Sequence, residues 1–220
     1  MTTNNPVLET DLELEPANLR DDENVFPTLS TLPSTDNIDF DFYNSVDGTF
    51  YVPTRHWCLL AEIVNVHFFF RLLLVVRDKA GRHLPVYFYT EERGWDFFAH
   101  VTSSVLSASQ QNHDHLSLPQ QGYTIAILYA HRHLFMDLSV GVKQLELDSI
   151  KIIPTSLDNL LELSDQVRTY SAKANGQRAC HGCGQRKDSL LKCSKCGLFW
   201  YCSKDSQRRR RESDVDASVE

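Results

Sequence analysis

From Trp57 onward the apolar residues fall in short runs punctuated by turn signals, a β pattern rather than the longer 3.6-residue period of helices. LLAEIVNV (59–66) predicts a first strand and FFFRLLLVVRD (68–78) a second, with a Gly-containing hairpin turn over residues 79–82. HLPVYFYTE (83–91) returns as a third strand, in which Pro85 marks an edge or bulged position because it offers no N–H to a ladder. Over residues 94–109, Phe97, Phe98, Val101, Val105 and Leu106 approach helical spacing and predict a short helix, followed by a polar loop over 110–122. YTIAILYAHRHLF (123–135) reads as a fourth strand, MDLSVG as a turn at Gly141, and residues 142–154 as a fifth strand with room for a sixth.

Five strands with a helix between the third and fourth is the order of an OB-type barrel. Strand order does not fix pairing, so a small sandwich or half-barrel has the same spacing. The expected class is α+β: a small OB-like β-barrel over residues 51–154, then a helix and linker over 155–177. Thr155-Ser156-Leu157-Asp158 caps an amphipathic helix with Leu157, Leu160, Leu161, Leu163 and Val167 available for packing, and SAKANGQR follows as a small-residue joint. Upstream, residues 1–50 mix acids, Thr, Asn and Ser with Pro6, Pro16, Pro27 and Pro33 and hold no sustained period, the composition of a disordered tail.

Charge sharpens this division. The chain carries a net charge of -7, but residues 1–45 hold ten acids against Arg20 alone, so the acidity belongs to the tail. Residues 178–211 carry ten Lys and Arg against Asp188 and Asp205, and residues 208–220 read as a second solvated tail. The first fifteen residues have neither a basic n-region nor an apolar core, which points to an intracellular protein. The most hydrophobic stretch, IVNVHFFFRLLLVV, is broken by Asn65, His67 and Arg71, whereas a membrane span needs about 18 apolar residues in a row.

Five of the six cysteines lie between Cys180 and Gln207. Two Cys-x2-Cys pairs, Cys180/Cys183 and Cys193/Cys196, followed by Cys202, give the density of soft donors that zinc requires, and in a reducing interior such pairs bind metal in preference to forming disulfides. Cys180, Cys183, Cys193 and Cys196 could alone close one four-thiolate site. The run Cys193-Ser-Lys-Cys196 with Tyr201-Cys202-Ser-Lys and Gln207 resembles the start of a MYND-type zinc finger, a cross-braced two-zinc interaction module, over roughly residues 178–207. That resemblance implies that Cys180, Cys183 and Cys202 serve a first ion and Cys193 and Cys196 a second. It also implies partners: short, Pro-containing peptide segments of other proteins. Ser206 stands where the family places the partner of Cys202, and RRRRESDVDASVE follows with no further Cys or His. The finger is therefore expected to be incomplete, truncated after its fifth cysteine.

Other residues carry weaker chemistry. His131 and His133 share a strand face without a third ligand, His113 and His115 sit in a polar loop, and His181 reads as a neighbour of the metal site rather than a ligand. Tyr87, Tyr89 and Phe68 to Phe70, near Arg71, Arg77, Lys79 and Arg82, allow single-stranded nucleic-acid binding on a barrel face as an alternative function. Against it, residues 51–154 hold nine basic and nine acidic side chains, with no basic excess. Arg208 to Arg211 form a short basic run before acids. Cys58 fits a core position. No hydrolase, deaminase, phosphate-loop or dinucleotide motif occurs, so the expectation is a non-enzymatic, zinc-binding interaction protein.

Overall fold

The computed structural model describes residues 16–91, 93–94, 96, 120–195 and 197–208. The helix expected over 94–109 lies outside them apart from Gly94 and Asp96, as do His113, His115, Cys196 and Arg209 to Arg211. The chain divides into two compact units, Asn18–Leu163 and Met1–Ala17 with Ser164–Glu220. Among the described residues no helix is long and apolar enough to cross a membrane.

The first unit is built on strands. A hairpin pairs β1 (Tyr43–Ser45) with β2 (Tyr51–Pro53). β3 (Cys58–Phe68), β4 (Leu72–Asp78) and β5 (His83–Phe88) form an antiparallel meander close to the expected first three strands. Strict alternation makes β4 legible: Leu72, Leu74, Val76 and Asp78 are buried while the residues between them are half-exposed. β6 (Thr124–Leu128), β7 (Arg132–Leu134), β8 (Val140–Gln144) and β9 (Ile150–Ile153) complete a mixed seven-stranded sheet of order β7-β8-β5-β4-β3-β6-β9.

This ladder is not the closed barrel expected from strand spacing. The single strand expected over 123–135 breaks at residues 129–131, where Tyr129 adopts a left-handed backbone (φ 54°) and its N–H turns to the Trp57 carbonyl. β6 then pairs with β3, and β7 pairs with β8, leaving β7 and β9 as the two edges.

Two other expectations fail for local reasons. Pro85 is not on an edge strand, because β5 lies between β4 and the parallel β8; pairing with β8 begins only at Val86, past the missing N–H. Gly141 is not a turn residue. The turn closes earlier, with the Phe135 N–H on the Ser139 carbonyl and Leu138 at φ 66°, while Gly141 lies in β8 directly against Pro85. A Cβ there would stand 2.7 Å from Pro85 Cγ, so only glycine permits the approach.

The core also reaches further upstream than the composition suggests. Leu29, Leu32 and Phe42 are buried with the strands, so the described part of the expected tail from residue 18 onward belongs to this unit. Phe42 packs against Trp57, fully buried, whose ring is met edge-on by Phe42, Tyr43 and Tyr129 and whose indole N–H donates to the Ala130 carbonyl at 2.8 Å. Asp78, almost fully buried, accepts backbone N–H bonds from Leu29, Ala80 and Arg82 and so ties that segment to the β4–β5 turn.

Helix α1 (Leu157–Ser171) is capped by Ser156, whose hydroxyl accepts the Asn159 N–H, one residue after the Thr155 that opens the expected capping run. Leu157 and Leu161 are buried against Cys58 and Leu60, whereas Leu163, expected to pack, is exposed. Cys58 is the core residue the sequence suggested, and burial pushes its thiol up to about 11. Beyond the helix the expected loose joint contains a tight turn, with reciprocal backbone bonds between Ala174 and Gln177.

Candidate metal centre

The second unit folds its cysteines into two small hairpins of the same design. β10 (Arg178–Ala179) pairs with β11 (Arg186–Lys187), and β12 (Leu191–Lys192) with β13 (Trp200–Tyr201). In the first, the Cys180 N–H bonds the Gln185 carbonyl and the Gly184 N–H returns to the Cys180 carbonyl at 2.7 Å. In the second, the Cys193 N–H bonds the Phe199 carbonyl and the Gly197 N–H returns to the Cys193 carbonyl at 2.8 Å. Gly184 and Gly197 both have positive φ, which a tight return of this kind demands. The sequence signal is the repeat CHGCG and CSKCG, a glycine after each cysteine pair.

Cys202, just past β13, joins the first hairpin. The sulfurs of Cys180, Cys183 and Cys202 all lie within 4.8 Å of one another, the one such ligand group among the described residues. Cys183 Sγ and Cys202 Sγ are 3.7 Å apart. Four ligands about 2.3 Å from a tetrahedral zinc ion are separated by about 3.8 Å, so this spacing fits ion binding and is far too long for a disulfide, about 2.05 Å. Cys180 Sγ, fully buried, accepts the backbone N–H groups of Gly182 at 3.4 Å and Cys202 at 3.3 Å.

Ser206 lies beside this group. This residue is almost fully buried, and its hydroxyl lies 3.1 Å from Cys202 Sγ. That hydroxyl is the main reason the Cys202 thiol is pulled down to about 7, helped by hydrogen bonds from Cys180 and Cys183 and by the charge of Lys187. At Cys183 the backbone N–H of Gln185 favours the thiolate, but desolvation and the neighbouring thiols outweigh it and its pKa is raised. Cys202 is therefore readied to ionise near neutral pH.

The other site residues take distinct places. Cys193 is buried beside Tyr201, and its sulfur accepts from Gln207 Nε2 at 3.3 Å. Among the described residues it is Cys202, not Cys193, that joins the Cys180/Cys183 pair. Cys196 lies outside the described residues. His181 is turned away from the sulfurs: its Nδ1 accepts the Trp200 N–H at 3.2 Å and its ring packs on Tyr170 and Phe199. Trp200 in turn lies under the Arg178 guanidinium, 4.2 Å from its centroid.

In the sheet unit the histidine pair is split between separate partners. His131 Nε2 bonds the Tyr43 hydroxyl at 2.6 Å, and burial lowers its pKa. His133 Nδ1 bonds Thr35 Oγ1 at 2.8 Å, and no third ligand gathers near either among the described residues.

Residues 180–213 match the family model of the MYND finger. A search of curated proteins gives no match. Among solved structures, the chain is similar to one from the crystal structure of the S. pombe Stn1-ten1 complex, at 16% identity and a TM-score of 0.33, covering 66% of this chain and 86% of that one. MYND fingers bind zinc, and the donor set here fits that ion: three soft sulfurs within 4.8 Å of one another, two of them from one Cys-x2-Cys pair. A zinc ion held by these sulfurs would tie Cys180 and Cys183 of the first hairpin to the strand end at Cys202. The C-terminal part of this chain thus carries a MYND-type zinc finger, with Cys180, Cys183 and Cys202 drawn close together within it.

Proposed function

We propose that this protein is a non-enzymatic, intracellular interaction module in which a zinc-ordered finger recognises short, Pro-containing peptide segments of partner proteins. The observation that carries this reading is the gathering of Cys180, Cys183 and Cys202 inside the segment matched by the finger family. Cys180, Cys183 and Cys202 hold the first ion, and Cys193 with Cys196 contributes to a second. Leu191 and Leu198 are exposed and Trp200 is half-exposed beside the first hairpin, offering apolar surface to a peptide. We read the sheet unit as OB-like in its pairing, a meander of β3 to β5 with β8 added parallel to β5.

The test is zinc per chain by elemental analysis, together with anisotropy of labelled Pro-containing peptides. Wild-type protein is expected to carry zinc and bind peptide. Cys180→Ser and chelator-treated protein are expected to lose both, and wild-type protein without zinc would refute the reading.

A second reading, single-stranded nucleic-acid binding by the sheet unit, has one specific support. Phe69 and Phe70 are exposed, and Tyr89 lies beneath the Arg71 guanidinium at 3.8 Å with Lys143 Nζ at 4.9 Å, the pairing of aromatic surface and positive charge that stacks unpaired bases. A gel shift with labelled single strands at low salt, absent below tens of micromolar, removes it.

A further inference from the structure

We infer that Ser206 supplies the fourth donor to the ion held by Cys180, Cys183 and Cys202, making this a three-thiolate, one-oxygen site that fills only when free zinc is plentiful. The inference rests on the zinc-binding reading above and asks how that site is tuned.

Three observations place the hydroxyl. Ser206 is 2% exposed, so its polar side chain is held inside and not in solvent. Its Oγ stands 3.1 Å from Cys202 Sγ, within about half an ångström of the sulfur–oxygen edge expected for a zinc tetrahedron. Its backbone is wedged against Gly182, the residue between the two cysteines of the first pair: a Cβ on Gly182 would stand 2.8 Å from the Ser206 carbonyl carbon and 2.9 Å from its Cβ. Ser206 is thus clamped against the Cys180–Cys183 turn on one side and Cys202 on the other.

The local hydrogen bonds suit a ligand. Ser203 caps the helical turn that begins at residue 204, taking the Ser206 N–H on its hydroxyl at 3.1 Å. The Ser203 hydroxyl donates to Ser206 Oγ at 3.2 Å. That uses one lone pair of Ser206 and leaves the other for an ion, with the turn fixing where it points.

Chemistry then sets the affinity. A neutral hydroxyl is a harder and weaker donor to zinc than a thiolate, and serine is the oxygen isostere of cysteine at this position. Because ion binding and folding of such a module are one equilibrium, a weaker fourth ligand makes the finger's order, and hence its partner binding, depend on zinc supply.

The experiment uses the full chain with zinc in competition against a chromophoric chelator, and cobalt(II) as a spectroscopic probe, on wild type, Ser206→Cys, Ser206→Ala and Cys180→Ser. Ser206→Cys is expected to tighten zinc by at least about tenfold and to strengthen the thiolate-to-cobalt absorption. Ser206→Ala is expected to weaken zinc by about tenfold with that absorption retained at saturating cobalt. Wild-type affinity in Ser206→Ala, or no gain in affinity and absorption in Ser206→Cys, overturns the inference. A gain in Ser206→Cys cannot come from misfolding. Wild type and Cys180→Ser that both fail to take up metal overturn instead the zinc-binding reading.

Discussion

Gly182→Ala tests whether the clamp on Ser206 is part of the metal centre. The added methyl carbon would stand 2.8 Å from the Ser206 carbonyl carbon and 2.9 Å from its Cβ, where ordinary carbon contacts are about 3.5–4.0 Å. Relief therefore needs a separation of roughly 0.6–1.2 Å. Neither contact is the end of a flexible side chain, so the shift must be taken by backbone: the Cys180–Cys183 turn moves, or the turn carrying Ser206 does. Overpacking of this kind costs about 1–3 kcal/mol. Because metal binding and folding are coupled in the finger, the loss reads out as weaker zinc, about 5- to 150-fold by the relation between free energy and affinity. Competition against a chromophoric chelator with purified full-length protein measures it directly. Zinc affinity within twofold of wild type would falsify the idea that this contact holds the site.

The remaining predictions concern the sheet unit. Cys58 is raised to about 11 by burial, so it contributes stability in full below its unfolded pKa near 9 and loses it as pH rises toward 11. Urea midpoints between pH 8 and 11 should fall by an amount equivalent to about 2–3 kcal/mol more in wild type than in Cys58→Ala, and parallel profiles would contradict this. Asp78→Ala leaves the N–H groups of Leu29, Ala80 and Arg82 without their acceptor and should cost about 2–4 kcal/mol in urea denaturation. Gly141→Ala drives a methyl into Pro85 and should cost about 1–3 kcal/mol, seen as a lowered melting temperature. Trp57→Ala should cost about 3–5 kcal/mol, the largest loss among these, because its fully buried ring has aromatic neighbours on several sides.

The strands were legible wherever one face is buried and the other is not, as in β4, since alternation is then written into residue type. Pairing was not. Nothing in HLPVYFYTE says that a parallel partner arrives only after Pro85, and nothing in LYAHR announces that Tyr129 turns left-handed, because no glycine marks the place. Leu29, Leu32 and Phe42 escaped notice because they bury singly from irregular backbone, which leaves no period to detect. At the metal centre, residue identity pointed to zinc and spacing to the family. Which thiolates meet depended on the strand ends at Ala179 and Tyr201, and the burial of Ser206 on a turn that the sequence shows only as a departure from the pattern.

The break at residues 129–131 also bears on how the chain is made. A nascent chain released as far as Phe88 can form the β3–β4–β5 meander from local hairpins, yet it then exposes two unpaired borders: Cys58–Glu62 awaiting β6, and Val86–Phe88 awaiting β8. Both are covered by one later stretch, residues 124–144, with β6 serving one border and β8, joined by β7, the other. Until that stretch leaves the ribosome the half-built sheet is sticky on both sides, and the interval of translation between Phe88 and Gln144 is its period of greatest exposure to aggregation.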